Sequence, residues 1–237
     1  MLDGPSKERI THSYKVIDEA SNVVAHRLIE GGLERGEVVM IYAARRVELV
    51  VAVMAVLKAG GVFSVIDPAY PPSRQTIYLS VSTPRALIVL SSAGTLHETV
   101  QDFVQTSLPL PLRLIIPALS LSSTGQIVGG PLDPSDPSTD ILASTAPLAA
   151  KPTGVVLGPD SPGTLSFTSG STGIPKGVKG RHYSLTHFFP WMGQRFEMDS
   201  NEKFTMLSGI AHDPIQRDSE CRSSGPERAR RETDRST

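Results

Sequence analysis

The stretch LSFTSGSTGIPKGVKG, residues 165–180, gathers the residue types that a phosphate-gripping loop needs. Gly170, Gly173 and Gly177 can turn backbone N–H groups inward, Ser169, Ser171 and Thr172 add hydroxyls, and Lys176 adds a positive charge. The loop follows a strand-like run, TLSF at 164–167, and precedes a helical pattern at 183–196. It is not a Walker A loop, in which glycine directly precedes the lysine: here Pro175 precedes Lys176 and Gly177 follows it. A merely flexible glycine loop would not require the Pro-Lys-Gly ending.

The elements that must hold this loop are legible upstream. Tyr14, Ile17, Ala20, Val24 and Leu28 recur at helical spacing, with Ser13 as an N-cap and Gly31-Gly32 as the stop. Strand-like runs at 37–43, 62–66, 86–90 and 112–116 alternate with helical patterns at 47–58, 75–80 and 94–104. Periodicity alone leaves 47–58 open between strand and helix; its length and the Gly60-Gly61 stop favour a buried helix. The alternation predicts an α/β fold, doubly wound, with mostly parallel sheets and helices on both faces. Ligands of such sheets sit at the carboxyl ends of the strands.

From Pro117 to Pro162 the pattern dissolves into Pro, Ser, Gly and Asp, which predicts a long, mobile surface connection. Pro190 is expected to kink or end the last helix. Residues 219–237 hold five arginines and four acids with almost no apolar residue, the composition of a disordered tail.

A net charge of −1 and 5% aromatic residues argue against nucleic-acid binding. The most apolar run, 47–66, is broken by Lys58 and Gly60-Gly61, so no membrane span is expected. The polar N-terminus lacks a secretory signal, and the single Cys221 rules out an internal disulfide and a multi-cysteine metal site; a cytoplasmic location is the expectation.

TSGSTGIPKG (168–177) resembles the signature of the adenylate-forming, AMP-binding superfamily: amino-acid-activating adenylation domains, acyl-CoA synthetases and luciferases. Two further motifs occur in the family's order. ITHSYKVIDEASNVVAHRL resembles the first core motif, with Ala20 where leucine is usual, and LKAGGVFSVIDPAYP (57–71) resembles the second, with Ser64 in place of proline. The resemblance implies that Thr168, Ser169, Gly170, Ser171, Thr172, Gly173, Lys176 and Gly177 bind ATP with Mg2+, Thr172 and Lys176 foremost in catalysis.

LSGIAHDPIQRD (207–218) falls at the family's fourth motif. Carried over, Asp213 would hold a substrate ammonium, Pro214 and Arg217 would line the pocket, and His212 would wall it. The Asp-Pro-Arg set resembles that of enzymes activating L-2-aminoadipate, and the wider match resembles the fungal L-2-aminoadipate reductase family. Aminoadipate carries an ammonium at one end and a second carboxylate on its side chain, so its pocket needs one buried anion and one buried cation. On a helix, Asp213 and Arg217 would share one face and could instead pair with each other.

This resemblance implies adenylation of aminoadipate, loading on a phosphopantetheine thiol of a carrier domain, and NADPH-dependent reduction to the semialdehyde for lysine biosynthesis. The expected organisation is a partial AMP-binding domain at 1–218, an incomplete large N-terminal subdomain, followed by a tail at 219–237 that reads as frameshifted or mis-spliced. The family's adenine, ribose and magnesium-linked motifs and its C-terminal catalytic lysine are not found after Asp218, so this chain alone is expected to be inactive. Two alternatives remain at this stage: an acyl-CoA ligase-type fragment for another carboxylic acid, or a non-catalytic truncated product that binds phosphate or caps a partner domain. His182 and His187 lie five apart, unsuited to the familiar zinc pair, and are expected to be surface or packing residues.

Overall fold

The computed structural model describes residues 10–168, 175–198 and 210. The expected alternation is present as α1 (Tyr14–Glu30), β1 (Val38–Tyr42), α2 (Val47–Lys58), β2 (Val62–Ile66), α3 (Pro72–Ser82), β3 (Ala86–Leu90), α4 (Glu98–Thr106) and β4 (Leu114–Leu121). There follow β5 (Ile127–Val128), β6 (Pro131–Asp133), β7 (Asp136–Asp140), β8 (Pro162–Thr168), β9 (Lys176–Arg181) and α5 (His182–Arg195). One sheet has the order β5-β4-β3-β1-β2-β8-β9, and β6 and β7 form a separate hairpin. Its five inner strands are parallel, and β5 and β9 are antiparallel additions at its two ends. The chain steps from β1 to β2 on one side, then returns to β3 and β4 on the other, which is the doubly wound topology.

Both faces of the sheet are covered. Val39 and Ile41 of β1 pack with α1 and α2, whereas Val38, Met40 and Tyr42 pack with Tyr78, Leu79 and Val100 of α3 and α4. Burial on two sides explains why β1 and β3 read as unbroken apolar runs, and β2 as one interrupted only by the buried Ser64, rather than as alternating ones. The Ser13 hydroxyl accepts the Val16 N–H at 3.3 Å and starts α1; Gly32, at φ +81°, takes the chain out of it.

Lys58 ends α2 and joins it to α1. Its ammonium reaches the Asp18 carbonyl (2.9 Å), Asp18 Oδ1 (2.7 Å), Ser21 Oγ (2.7 Å) and Asn22 Oδ1 (2.8 Å). The charge that interrupts the apolar run at 47–66 is thus a clamp between two helices, with its stem along their apolar surface.

The region 117–162 differs from the expected mobile connection. β4 continues through Pro117 to Leu121, Ile141 and Leu142 are buried in the core, and strands β5 to β7 occupy the interval. Asp140 is the organising residue: its carboxylate accepts N–H groups from Gly129 (3.0 Å), Gly130 (3.0 Å) and Leu142 (2.8 Å). Further along, Asn22 donates to the Ala149 carbonyl (2.8 Å), the His26 ring meets the Lys151 carbonyl (3.0 Å), and Thr153 donates to the Lys58 carbonyl (2.7 Å). A proline-rich stretch is ordered here by scattered side-chain to backbone bonds, which leave no periodic trace. Asp140→Ala is expected to cost about 2–3 kcal/mol by leaving partly buried N–H groups without acceptors, with Asp140→Asn in between. Urea unfolding of the three chains checks the order.

The helix at 182–195 also continues through Pro190 rather than stopping there. Proline removes one donor from the ladder, and the following turn still closes, with the Phe196 N–H reaching the Met192 carbonyl at 3.0 Å. The expected tail at 219–237 lies outside the described residues. Among the described residues no helix is long and apolar enough to cross a membrane.

Candidate functional site

The glycine-rich loop joins β8 to β9, two antiparallel strands, and not a strand to a helix as the sequence pattern suggested. β9 escapes sequence reading because KGVKGR has only one β-branched residue and almost no burial. The hairpin geometry sets this loop physically apart from a strand–loop–helix phosphate site: no helix N-terminus immediately follows Lys176.

The root of the hairpin is well defined. Thr168 is the register partner of Lys176, and Phe167 is the partner of Gly177. Opposed residues of an antiparallel pair project to the same face, so Thr168 and Lys176 stand side by side, both exposed, at the carboxyl end of β8. Since β8 runs parallel to β2, this is the sheet edge at which ligands of such folds bind. Gly177 is confined for a packing reason: a Cβ there would lie 3.0 Å from Leu165 Cδ1. Ser169, Gly170, Ser171, Thr172 and Gly173 lie outside the described residues, as do His212, Asp213, Pro214 and Arg217 of the expected pocket.

Beneath the root lies an aromatic cluster that the sequence reading did not single out. Phe167 stacks on Tyr78 with ring centroids 4.1 Å apart and planes 7° from parallel. The Tyr78 hydroxyl accepts from Arg74 Nε (3.0 Å) and Nη2 (2.8 Å), and the guanidinium lies 4.2 Å over the Tyr70 ring. Tyr70 meets Tyr78 edge-on at 5.8 Å, and its carbonyl accepts from Gln75 at 2.7 Å. Burial, reinforced by the Asp67 carboxylate, raises the Tyr42 hydroxyl above the ordinary phenol range. Burial also raises Tyr70, with Tyr78 and Asp67 adding to the effect and Arg74 opposing it. Both phenols therefore stay protonated at neutral pH. The signal available in the sequence was the four-residue spacing of Arg74 and Tyr78 after the turn DPAYP.

His182 is a packing residue, as expected. Its imidazole sits against Gly163, and burial holds its pKa below the ordinary histidine value. As pH falls, the unfolded chain takes up that proton before the folded one, so the His182 contribution is fully present above about pH 6.5 and declines through the lower folded value. His182→Leu should flatten the fall in unfolding midpoint between pH 7 and pH 5 relative to the unsubstituted chain. His187, by contrast, stacks on Tyr183 at 5.4 Å.

The doubly wound sheet carries the Thr168–Lys176 pair at the carboxyl end of β8, and residues 2–216 match the AMP-binding enzyme family. The chain belongs to that family, the adenylate-forming class. It is 59% identical over 208 residues to the L-2-aminoadipate reductase of Schizosaccharomyces pombe, covering 88% of this chain and 14% of that protein. It is 56% identical over 206 residues to the Saccharomyces cerevisiae reductase, covering 87% and 14%. Bacitracin synthase 3 of Bacillus licheniformis is 29% identical over 205 residues, with 85% and 3% covered. Among solved structures, ATP-bound MatB from Rhodopseudomonas palustris matches with a TM-score of 0.65 at 19% identity, over 95% of this chain and 42% of that one. The nonribosomal peptide synthetase FmoA3 also matches with a TM-score of 0.65, at 22% identity, over 90% and 19%. These structural likenesses establish the fold. The chain spans 14–15% of the length of the reductases that it resembles.

Proposed function

We propose that this segment binds MgATP and L-2-aminoadipate and takes part in forming the acyl-adenylate. The side-chain carboxylate of the amino acid, the one later reduced to the aldehyde, attacks the α-phosphorus of ATP, the bond to the β-phosphate oxygen breaks, and pyrophosphate leaves with that electron pair. Little covalent work falls to the protein, which positions the reactants and offsets charge on the phosphoryl oxygens. Lys176, Thr168, Ser169, Ser171, Thr172 and the amides of Gly170, Gly173 and Gly177 would hold the β- and γ-phosphates. His212 would wall the acyl pocket beside Pro214, Asp213 would meet the substrate ammonium, and Arg217 the carboxylate that is not activated.

The donor set at the hairpin root suits this ligand. A lysine and a threonine hydroxyl side by side match polyphosphate oxygens and not a bare cation, and among the described residues no three His, Cys, Asp or Glu side chains cluster to hold a metal. Mg2+ would accompany the nucleotide and screen its phosphate charge. In the longer polypeptide, a carrier domain's phosphopantetheine thiol and an NADPH-dependent reductase would consume the adenylate.

The observation that carries the substrate assignment is the contrast in similarity: 56–59% identity to proteins named as aminoadipate reductases, against 27–29% to peptide synthetases. The test is a graft of residues 10–218 into the fission-yeast reductase in place of its matching segment, assayed by ATP–pyrophosphate exchange. Exchange that depends on aminoadipate supports the reading. Exchange with fatty or aromatic acids only would assign another acid, and no exchange beside an active parent would assign a non-catalytic role.

A further inference from the structure

Tyr78 is 1% exposed, lies on α3 far from the loop in sequence, and yet stacks face to face on Phe167, the residue before Thr168. Phe167 is the register partner of Gly177, the residue after Lys176, so the stack supports both strands of the hairpin at the pair next to the last one, Thr168–Lys176. The other end of Tyr78 is fixed too. Arg74 holds its hydroxyl with two N–H groups and covers Tyr70, whose N–H is bonded to the Asp67 carbonyl at 3.0 Å in the turn after β2. A chain of contacts thus runs from the carboxyl end of β2 through Tyr70, Arg74, Tyr78 and Phe167 to the Thr168–Lys176 pair.

This arrangement exceeds what packing requires. An apolar side chain would fill the space, but only a planar ring within about 7° of parallel fixes the tilt of Phe167. The angle of the β8–β9 root follows that tilt, because β8 otherwise joins β2 through a short ladder, with Phe63 opposite Thr164. β9 itself is exposed and rich in glycine, so it contributes little stiffness of its own.

We propose that Tyr78, locked by Arg74, is the positioning residue of the nucleotide loop: its ring sets the orientation of the hairpin root and thereby pre-aligns Lys176 and Thr168 for a triphosphate. The proposal rests on the reading of the hairpin as the ATP-phosphate loop. Tyr78 touches no substrate and acts through Phe167. The loss on removing it should appear in triphosphate affinity and in the local opening of the hairpin, and a ring without the hydroxyl should preserve most of both.

The test uses the 237-residue chain with inorganic tripolyphosphate as the probe, by calorimetric titration, together with amide hydrogen exchange at residues 165–167 and 177–179 referenced to Met40 and Leu87 in the inner strands. Tyr78→Leu is expected to weaken tripolyphosphate binding about tenfold, one decade corresponding to about 1.4 kcal/mol. It should speed exchange at the root amides by a similar factor while leaving the reference amides unchanged. Tyr78→Phe should stay within about threefold on both, the hydroxyl's hydrogen bonds being the smaller part. If Tyr78→Leu does not fold, Phe167→Leu carries the same expectation from the other side of the stack. Unchanged exchange at the root, equal loss in the Leu and Phe variants, or faster exchange everywhere would overturn the proposal. Absence of tripolyphosphate binding to the unsubstituted chain would count against the loop assignment instead; the exchange comparison then decides the positioning role by itself.

Discussion

Arg217→Ala, made in the grafted reductase, is expected to lower kcat/KM for aminoadipate by two to three decades while leaving the KM for ATP within about twofold. The expectation follows from charge. A spectator carboxylate brought out of water without its cation loses about 3–5 kcal/mol, and each decade of rate corresponds to about 1.4 kcal/mol. The nucleotide is held by a different part of the proposed site, so its binding is not coupled to that loss. Exchange rates at varied aminoadipate and varied ATP separate the two. Parallel loss of both would mean that Arg217 supports the fold, and no loss would remove it from the pocket. Arg217→Lys sharpens the reading: it keeps the charge but not the two-pronged geometry that suits a carboxylate, so it should recover part of the activity.

The second large effect concerns stability. Lys58→Met should lower the free energy of unfolding by about 2–4 kcal/mol, because Asn22 Oδ1 and Ser21 Oγ lose their donor where water does not easily replace it. Ser21 and Asn22 are 0% and 5% exposed, which is why this arm of the network dominates. The Asp18 carboxylate at 2.7 Å counts for less, since its side chain is 58% exposed and screened by solvent. Thermal unfolding of the chain measures the sum, and Asp18→Ala should cost clearly less than Lys58→Met. Equal costs would show that the ion pair, not the buried acceptors, is what matters.

How much of this was legible in the sequence depends on the kind of interaction. Helices α1 and α2 and strands β1 to β3 could be placed because burial on one or two faces writes itself into spacing, as with Ala20, Val24 and Leu28 or the run ALIVL. The clamp at Lys58, the Asp140 carboxylate and the Tyr78 stack could not be, since each uses one side chain rather than a pattern, and the first and last join residues distant in sequence. Strand β9 was hidden for another reason: its pairing with β8 is made by the backbone, and its side chains carry the composition of a loop. For the site, the residues at 168–177 were singled out by type, whereas the platform beneath them emerged only from coordinates.

Strand β9 lies at one end of the sheet among the described residues, with a row of backbone donors and acceptors facing away from β8. Such a margin commonly invites another chain to add on and seeds aggregation. Here the margin is written as Lys-Gly-Val-Lys-Gly-Arg, exposed along nearly its whole length. Laying a second copy against it would set cation against cation, and the two glycines would offer no side chain to knit the pair together. The composition of β9 thus disfavours pairing of two copies along this margin. Because that protection is electrostatic, it weakens as ionic strength rises and the repulsion is screened.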